Sequence, residues 1–220
     1  TALWTAAPAR AANVTLLGFT GFDYVEPSPG PPGPGFLKNG DVYDEIGFVT
    51  SFDALLAGYV NPTTNEYTFW LNSANVITST FTNNTLEVQF APNARFSVFE
   101  DPKCCGTPAT YGTLPPNATA PGTFSDGTLI LGASINNLVL TYSYDTFQGN
   151  FFGTATLDAG SDLVAIPPAR RSGWLLGGQA GPPNATVPAG YVNQVSGELQ
   201  IPDATPAQHK SWGAIKALYR

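Results

Sequence analysis

The stretch Asn136-Asn137-Leu138-Val139-Leu140-Thr141-Tyr142-Ser143-Tyr144 joins a turn signal to a strand signal. Leu138, Leu140, Tyr142 and Tyr144 fall on one face of an extended chain, with Val139, Thr141 and Ser143 behind them. A period of two is the pattern of a half-buried antiparallel strand. The two asparagines ahead of it tolerate the backbone of a tight turn. The same grammar recurs along the chain. Tyr67, Phe69 and Leu71 share a face, and Leu86, Val88 and Phe90 alternate with Glu87 and Gln89 behind the turn pair Asn83-Asn84.

Twelve segments read as strands: 12–20, 43–52, 55–60, 66–72, 75–81, 84–90, 94–100, 127–133, 137–144, 149–157, 172–177 and 191–201. Their number and spacing predict an all-β fold, an antiparallel β-sandwich or jelly roll with long Gly/Pro-rich loops. The stiff loops are 26–36, 101–126 and 166–190, and Pro-Pro-Asn-Ala-Thr-x-Pro occurs in two of them, at 115–121 and 182–188. Only the end of the chain reads as helix. Thr205 can cap it with Pro206 at the first position, and Trp212, Ile215 and Tyr219 recur at helical spacing. The expected organisation is an extended arm over 1–11, a β-sandwich over 12–204 and a short docked helix over 205–220. Trp4 would anchor the arm on a neighbour's open sheet edge.

Composition bounds the function. Charged residues make up 11% of the chain, about half the globular norm of roughly 25%. Net charge is −7 with nine Lys and Arg, so no basic stripe exists to neutralise phosphates and nucleic acid is excluded as a partner. No apolar run approaches the ~20 residues of a membrane-spanning helix. Methionine is absent even from position 1, which reads as a processed N-terminus and an extracellular location.

Cys104 and Cys105 are the two cysteines of the chain and are neighbours. An ordinary disulfide wants Cα atoms roughly 4.4–6.8 Å apart, whereas neighbours sit at about 3.8 Å. That leaves a strained vicinal disulfide, intermolecular disulfides or two free thiols, and an oxidising compartment favours the disulfides. Sequons at Asn13, Asn83, Asn117 and Asn184 are candidate glycosylation sites.

Catalytic equipment is sparse. His209 is the single histidine and falls on the terminal helix, with no Gly-x-Ser-x-Gly elbow to present a serine. No cofactor is implied. Asn39, Asp41, Asp44 and Glu45, or Asp158 and Asp162, could hold a calcium ion, although such Asx-rich segments are more often turns. A glycosidase needs two carboxylates at a set separation, which spacing along a chain does not specify. Trp70 lies opposite Phe69 on its strand and is either packed under a second layer or free to stack on a sugar.

The final residues, Ser211-Trp212-Gly213-Ala214-Ile215-Lys216-Ala217-Leu218-Tyr219-Arg220, resemble the terminus of many exported bacterial proteins, which end in Thr/Ser-Trp-Gly-x-Ile/Leu-Lys-x-Leu-Tyr/Phe-Arg. Residues 115–121 and 123–128 are similar to segments of uncharacterised secreted proteins of that kind. The resemblance covers about thirty residues and implies a bacterial exported protein with its own C-terminus. It brings no activity. The expectation is an extracellular structural protein, not an enzyme, that self-associates into a filament, sheath or matrix. The alternative is a carbohydrate-binding or adhesive module that meets cell-surface polysaccharide.

Overall fold

A computed structural model describes residues 13–26, 37–103, 121–182, 187–188 and 190–202. They form nine strands: β1 (Asn13–Glu26), β2 (Val42–Phe52), β3 (Asn65–Thr82), β4 (Thr85–Phe90), β5 (Ala94–Pro102), β6 (Thr128–Ser143), β7 (Gln148–Ala159), β8 (Ser172–Ala180) and β9 (Gln194–Pro202). Each strand pairs antiparallel with the next around a ring, and β9 returns to pair with β1. β4 and β5 run in the same direction, end to end between β3 and β6, and share one place in the wall. The fold is therefore a closed antiparallel barrel of eight strands with one extra strand. Every described strand is paired on both sides.

This corrects the expected sandwich or jelly roll. Alternation identifies half-buried strands, but it is equally compatible with two facing sheets and with one sheet closed on itself. Closure depends on β1 meeting β9 in the register Leu17 to Leu199, a pairing with no local signal. The closed ring also offers no described edge for an added arm. Trp4 and the arm over 1–11 lie outside the described residues, as does the helix expected over 205–220. Among the described residues the only helical pieces are short 3-10 turns.

Two expected pairs of strands are single long ones. Segments 66–72 and 75–81 join in β3, and 127–133 and 137–144 join in β6. The pattern breaks where Ser73 and Asn137 take left-handed backbone at φ 57° and 53°. Asn93, at φ 71°, sits level with them in the break between β4 and β5. Bulges of this kind bend strands, and here they align on three neighbouring strands. Asn83 and Asn84, by contrast, form the expected hairpin turn, with φ 49° and 59°, between paired Thr82 and Thr85. Segment 55–60 is a run of turns, started by Asp53 Oδ1 accepting from the Leu55 amide at 2.9 Å.

The inward faces are the apolar ones expected, and the barrel is filled by its own side chains. Phe19, Phe69, Phe96 and Phe151 meet at the centre, with Phe19 ring centroids 4.6, 5.3 and 6.4 Å from the other three. Leu37 plugs one end, and Leu56 and Ile166 plug the other. An eight-stranded barrel is just wide enough to be filled this way. Large rings fit because small residues face them. A Cβ on Gly178 would stand 2.3 Å from the Phe151 ring, and one on Gly197 would stand 2.5 Å from Phe19. The outward positions of β4, β6, β7 and β9 include Glu87, Gln89, Thr141, Asn150, Thr154, Thr156, Ser196 and Glu198, all exposed, while Ile77, Phe152 and Leu175 are exposed apolar residues of β3, β7 and β8.

Gly178→Ala is expected to lower unfolding free energy by about 1–3 kcal/mol through overpacking. Gly58→Ala, in open space, is expected to leave it unchanged. Urea unfolding followed by circular dichroism measures both.

Candidate functional site

The polar chemistry of the described residues concentrates at the end of the barrel closed by Leu37. Asp23 on β1 and Glu45 on β2 are cross-strand partners, and alternation turns both inward, where neither is exposed. Tyr43, two residues before Glu45, shares that face. Its hydroxyl lies 2.8 Å from Glu45 Oε1 and 3.2 Å from Asp23 Oδ2. Asn193, just ahead of β9, donates its backbone N–H to Asp23 Oδ1 at 2.6 Å and its Nδ2 to Oδ2 at 2.9 Å. Tyr142 on β6 donates to Asn193 Oδ1 at 3.2 Å. Glu45 Oε2 is buried without a hydrogen-bond partner.

Desolvation dominates the electrostatics, because a buried carboxylate loses hydration that its partners replace only in part. Burial pushes Asp23 up to about 6 against the lowering effect of Asn193 and Tyr43. It pushes Glu45 up to about 8, reinforced by the charges of Asp23 and Asp44. Tyr43 is likewise raised, chiefly by burial and then by Glu45 and Asp23. Both carboxyl groups are closed off from solvent.

On the outside of the same wall a second apolar cluster forms from Tyr24, Ile46, Phe124 and Tyr191, with Phe22, Phe48, Trp70 and Val187 packed against it. Phe124 covers these strands from one connection, and Val187 and Tyr191 cover them from another. Trp70 belongs to this covered layer and donates its Nε1 to Asp44 Oδ1 at 3.0 Å. Burial raises Asp44 to about 7. Trp70 is thus partly buried and packed in this second layer.

The two carboxylate groups considered for calcium do not converge. Asp41 accepts from the Lys38 amide at 2.8 Å, Asp44 points outward and Glu45 inward. Asp158 pairs with Arg95 at 2.8 Å, while Asp162 accepts from its neighbour Ser161 at 2.9 Å. Among the described residues no three His, Cys, Asp or Glu side chains group as metal ligands. Asn13 opens β1, and Asn83 is exposed in the β3–β4 turn. Cys104, Cys105, Asn117, Asn184 and His209 lie outside the described residues.

The outer wall carries one further feature. A groove of about 450 Å³ runs over β1, β2, β8 and β9, lined by Thr50, Ser51, Gln179, Ser196, Glu198 and Gln200 above Gly18, Gly177, Gly178 and Gly197. Phe152, cross-strand partner of Gly177, is 61% exposed beside it. Neither Asp23 nor Phe152 stood out in the sequence. The available signal for Asp23 was a carboxylate at an inward position of the otherwise apolar run Phe22–Val25. Phe152 was the apolar residue on the polar face of an alternating strand. No family model, curated protein or solved structure matches the chain.

Tyr43→Phe removes the hydroxyl that joins the two carboxyl groups and leaves buried polar atoms without a partner. The variant is expected to lose about 1–3 kcal/mol of stability at neutral pH, measured by urea unfolding against wild type.

Proposed function

We propose that the chain is an extracellular structural protein of a bacterium, a subunit of a surface filament, sheath or matrix with no catalytic role. The observation that carries this reading is the use of the barrel interior for self-packing. The acidic pair is sealed, the centre is solid phenylalanine, and what the protein offers to its surroundings is its outer surface. That surface is built of Thr, Asn, Gln and Ser on paired strands, a form suited to persistence outside a cell. Because the wall is closed, association proceeds through faces and not through strand addition. The turn end with Phe81, Tyr144 and Phe147 supplies an apolar contact. Phe81 and Tyr144 pack edge to face at 5.4 Å, and Phe81 and Phe147 remain 39% and 48% exposed.

Light scattering on the full chain at rising concentration, with electron microscopy of secreted material, tests the reading. Concentration-dependent assemblies that Phe147→Ser weakens are expected. A monomer at every concentration, with no ordered material, overturns it.

The groove beside Phe152 favours a second reading, an adhesive module for neutral polysaccharide. An exposed aromatic face beside amide and hydroxyl side chains on rigid strands matches a polymer with apolar ring faces and hydroxyl edges. Co-sedimentation with insoluble polysaccharides should then show binding that Phe152→Ala weakens about tenfold, the upper end of what one stacking contact contributes. Equal sedimentation of both proteins rejects it.

A further inference from the structure

The Asp23–Tyr43–Glu45 arrangement contains a proton requirement visible in its geometry. A phenol has one hydrogen to donate, yet the Tyr43 hydroxyl lies within hydrogen-bond distance of both carboxyl groups. Both contacts are hydrogen bonds only when one acid is protonated and donates to the phenol oxygen. Asp23 has both oxygens occupied by N–H donors from Asn193 and so behaves as the acceptor. Glu45, with Oε2 unpartnered, is the group that carries the proton. The chain of donors then runs from Glu45 to Tyr43 to Asp23.

The neighbours offer no charge compensation. From β1 the pair faces Asp23 itself. β2 contributes Tyr43 and, on the outer side, Asp44. From β6 comes Tyr142, and from the approach to β9 the neutral Asn193. Glu45 stands opposite the apolar Leu71 of β3, and Phe90 of β4 packs on Tyr43 at 5.5 Å. No cation acts on either acid among the described residues. Losing the Glu45 proton therefore leaves two buried negative charges competing for one phenol hydrogen.

Asp23 is also the peg that holds the β8–β9 connection. Its backbone N–H donates to Asn193 O at 3.1 Å and its carbonyl accepts from the Val192 N–H at 2.9 Å, in addition to the side-chain bonds. Tyr191, one residue further back, packs on Phe22 and Tyr24 at 5.4 and 5.8 Å on the outer face. The interior acid pair and the cover of the outer apolar cluster are thus mechanically one unit.

We propose that this end of the barrel is a proton-operated latch: with Glu45 protonated the connection through Tyr191–Asn193 stays fastened to β1, and loss of that proton releases it and uncovers the apolar layer around Tyr24 and Trp70. The direction follows from linkage. A carboxyl whose proton is held more tightly folded than unfolded gives stability that is complete below its unfolded value and is lost as pH rises through its folded one. For Asp23 and Glu45, raised to about 6 and about 8, loss runs from mildly acidic to mildly alkaline pH. The latch closes in acid and opens in base.

The test uses the full chain titrated from pH 5 to 9.5, with the apolar-surface dye ANS for release and far-ultraviolet circular dichroism for the barrel. Dye fluorescence rising at least threefold between pH 7 and 9 with the strand signal intact is expected, as is a ¹³C carboxyl resonance titrating above pH 7. Glu45→Gln keeps the side chain uncharged and should abolish the rise. Should that variant not fold, amide hydrogen exchange of the wild-type chain, corrected for the intrinsic pH dependence of exchange, is the second measurement: protection of the Val192 and Asn193 amides should fall between pH 7 and 9 while that of the strands persists. A flat wild-type profile overturns the latch. So does dye binding that rises only together with loss of strand signal, a rise unchanged in Glu45→Gln, or Val192 and Asn193 protection that does not change.

Discussion

The pairing of β9 with β1 is the constraint on which the rest depends. Every other neighbour contact in the wall joins strands one or two apart in chain order, but this one unites residues about 180 positions apart. Until it forms, eight places of strand make an open, twisted sheet with two bare edges and one apolar face. Once it forms, the edges vanish together and the apolar face becomes an interior. A structure whose last contact spans nearly the whole chain is expected to fold slowly for its size, because long loop closure precedes the burial that rewards it. Asn193 and Asp23 extend this seam past the end of the ladder, which explains why costly polar groups are retained there.

What the sequence revealed followed from side-chain periodicity. The inward faces of β3, β4 and β6 were readable, as was the Asn83-Asn84 hairpin. Closure was not, because register between first and last strands depends on the whole perimeter. Strand length misread for a local reason. Asn137 has the chemistry of a turn residue and adopts a turn residue's backbone, but it does so inside a strand whose neighbours hold it on course. Leu56 reads as strand by its apolar neighbours and serves as a plug.

The candidate site was half legible. Glu45 stood out only as a member of a carboxylate run with Asp44, and the strand's alternation sends those two to opposite sides of the wall. Asp23 and Tyr43 were hidden because a single polar residue in an apolar strand carries no partner in its vicinity. Their meeting is a product of the β1–β2 register. With 11% of residues charged, the chain places several of its acids in the walls and interior and leaves its outside largely neutral.

Asn13 and Pro202 are cross-strand partners. The first residue of β1 and the last of β9 therefore lie at one spot, at the rim opposite the acid pair. The barrel consequently has a handle and a head. A tether fixed at Asn13 or at Pro202 would hold every copy the same way up, with the Leu37 rim facing outward. In an array fixed through those two residues, neighbours would stand side by side with parallel axes, and their exposed tops would all present the same turns to the medium.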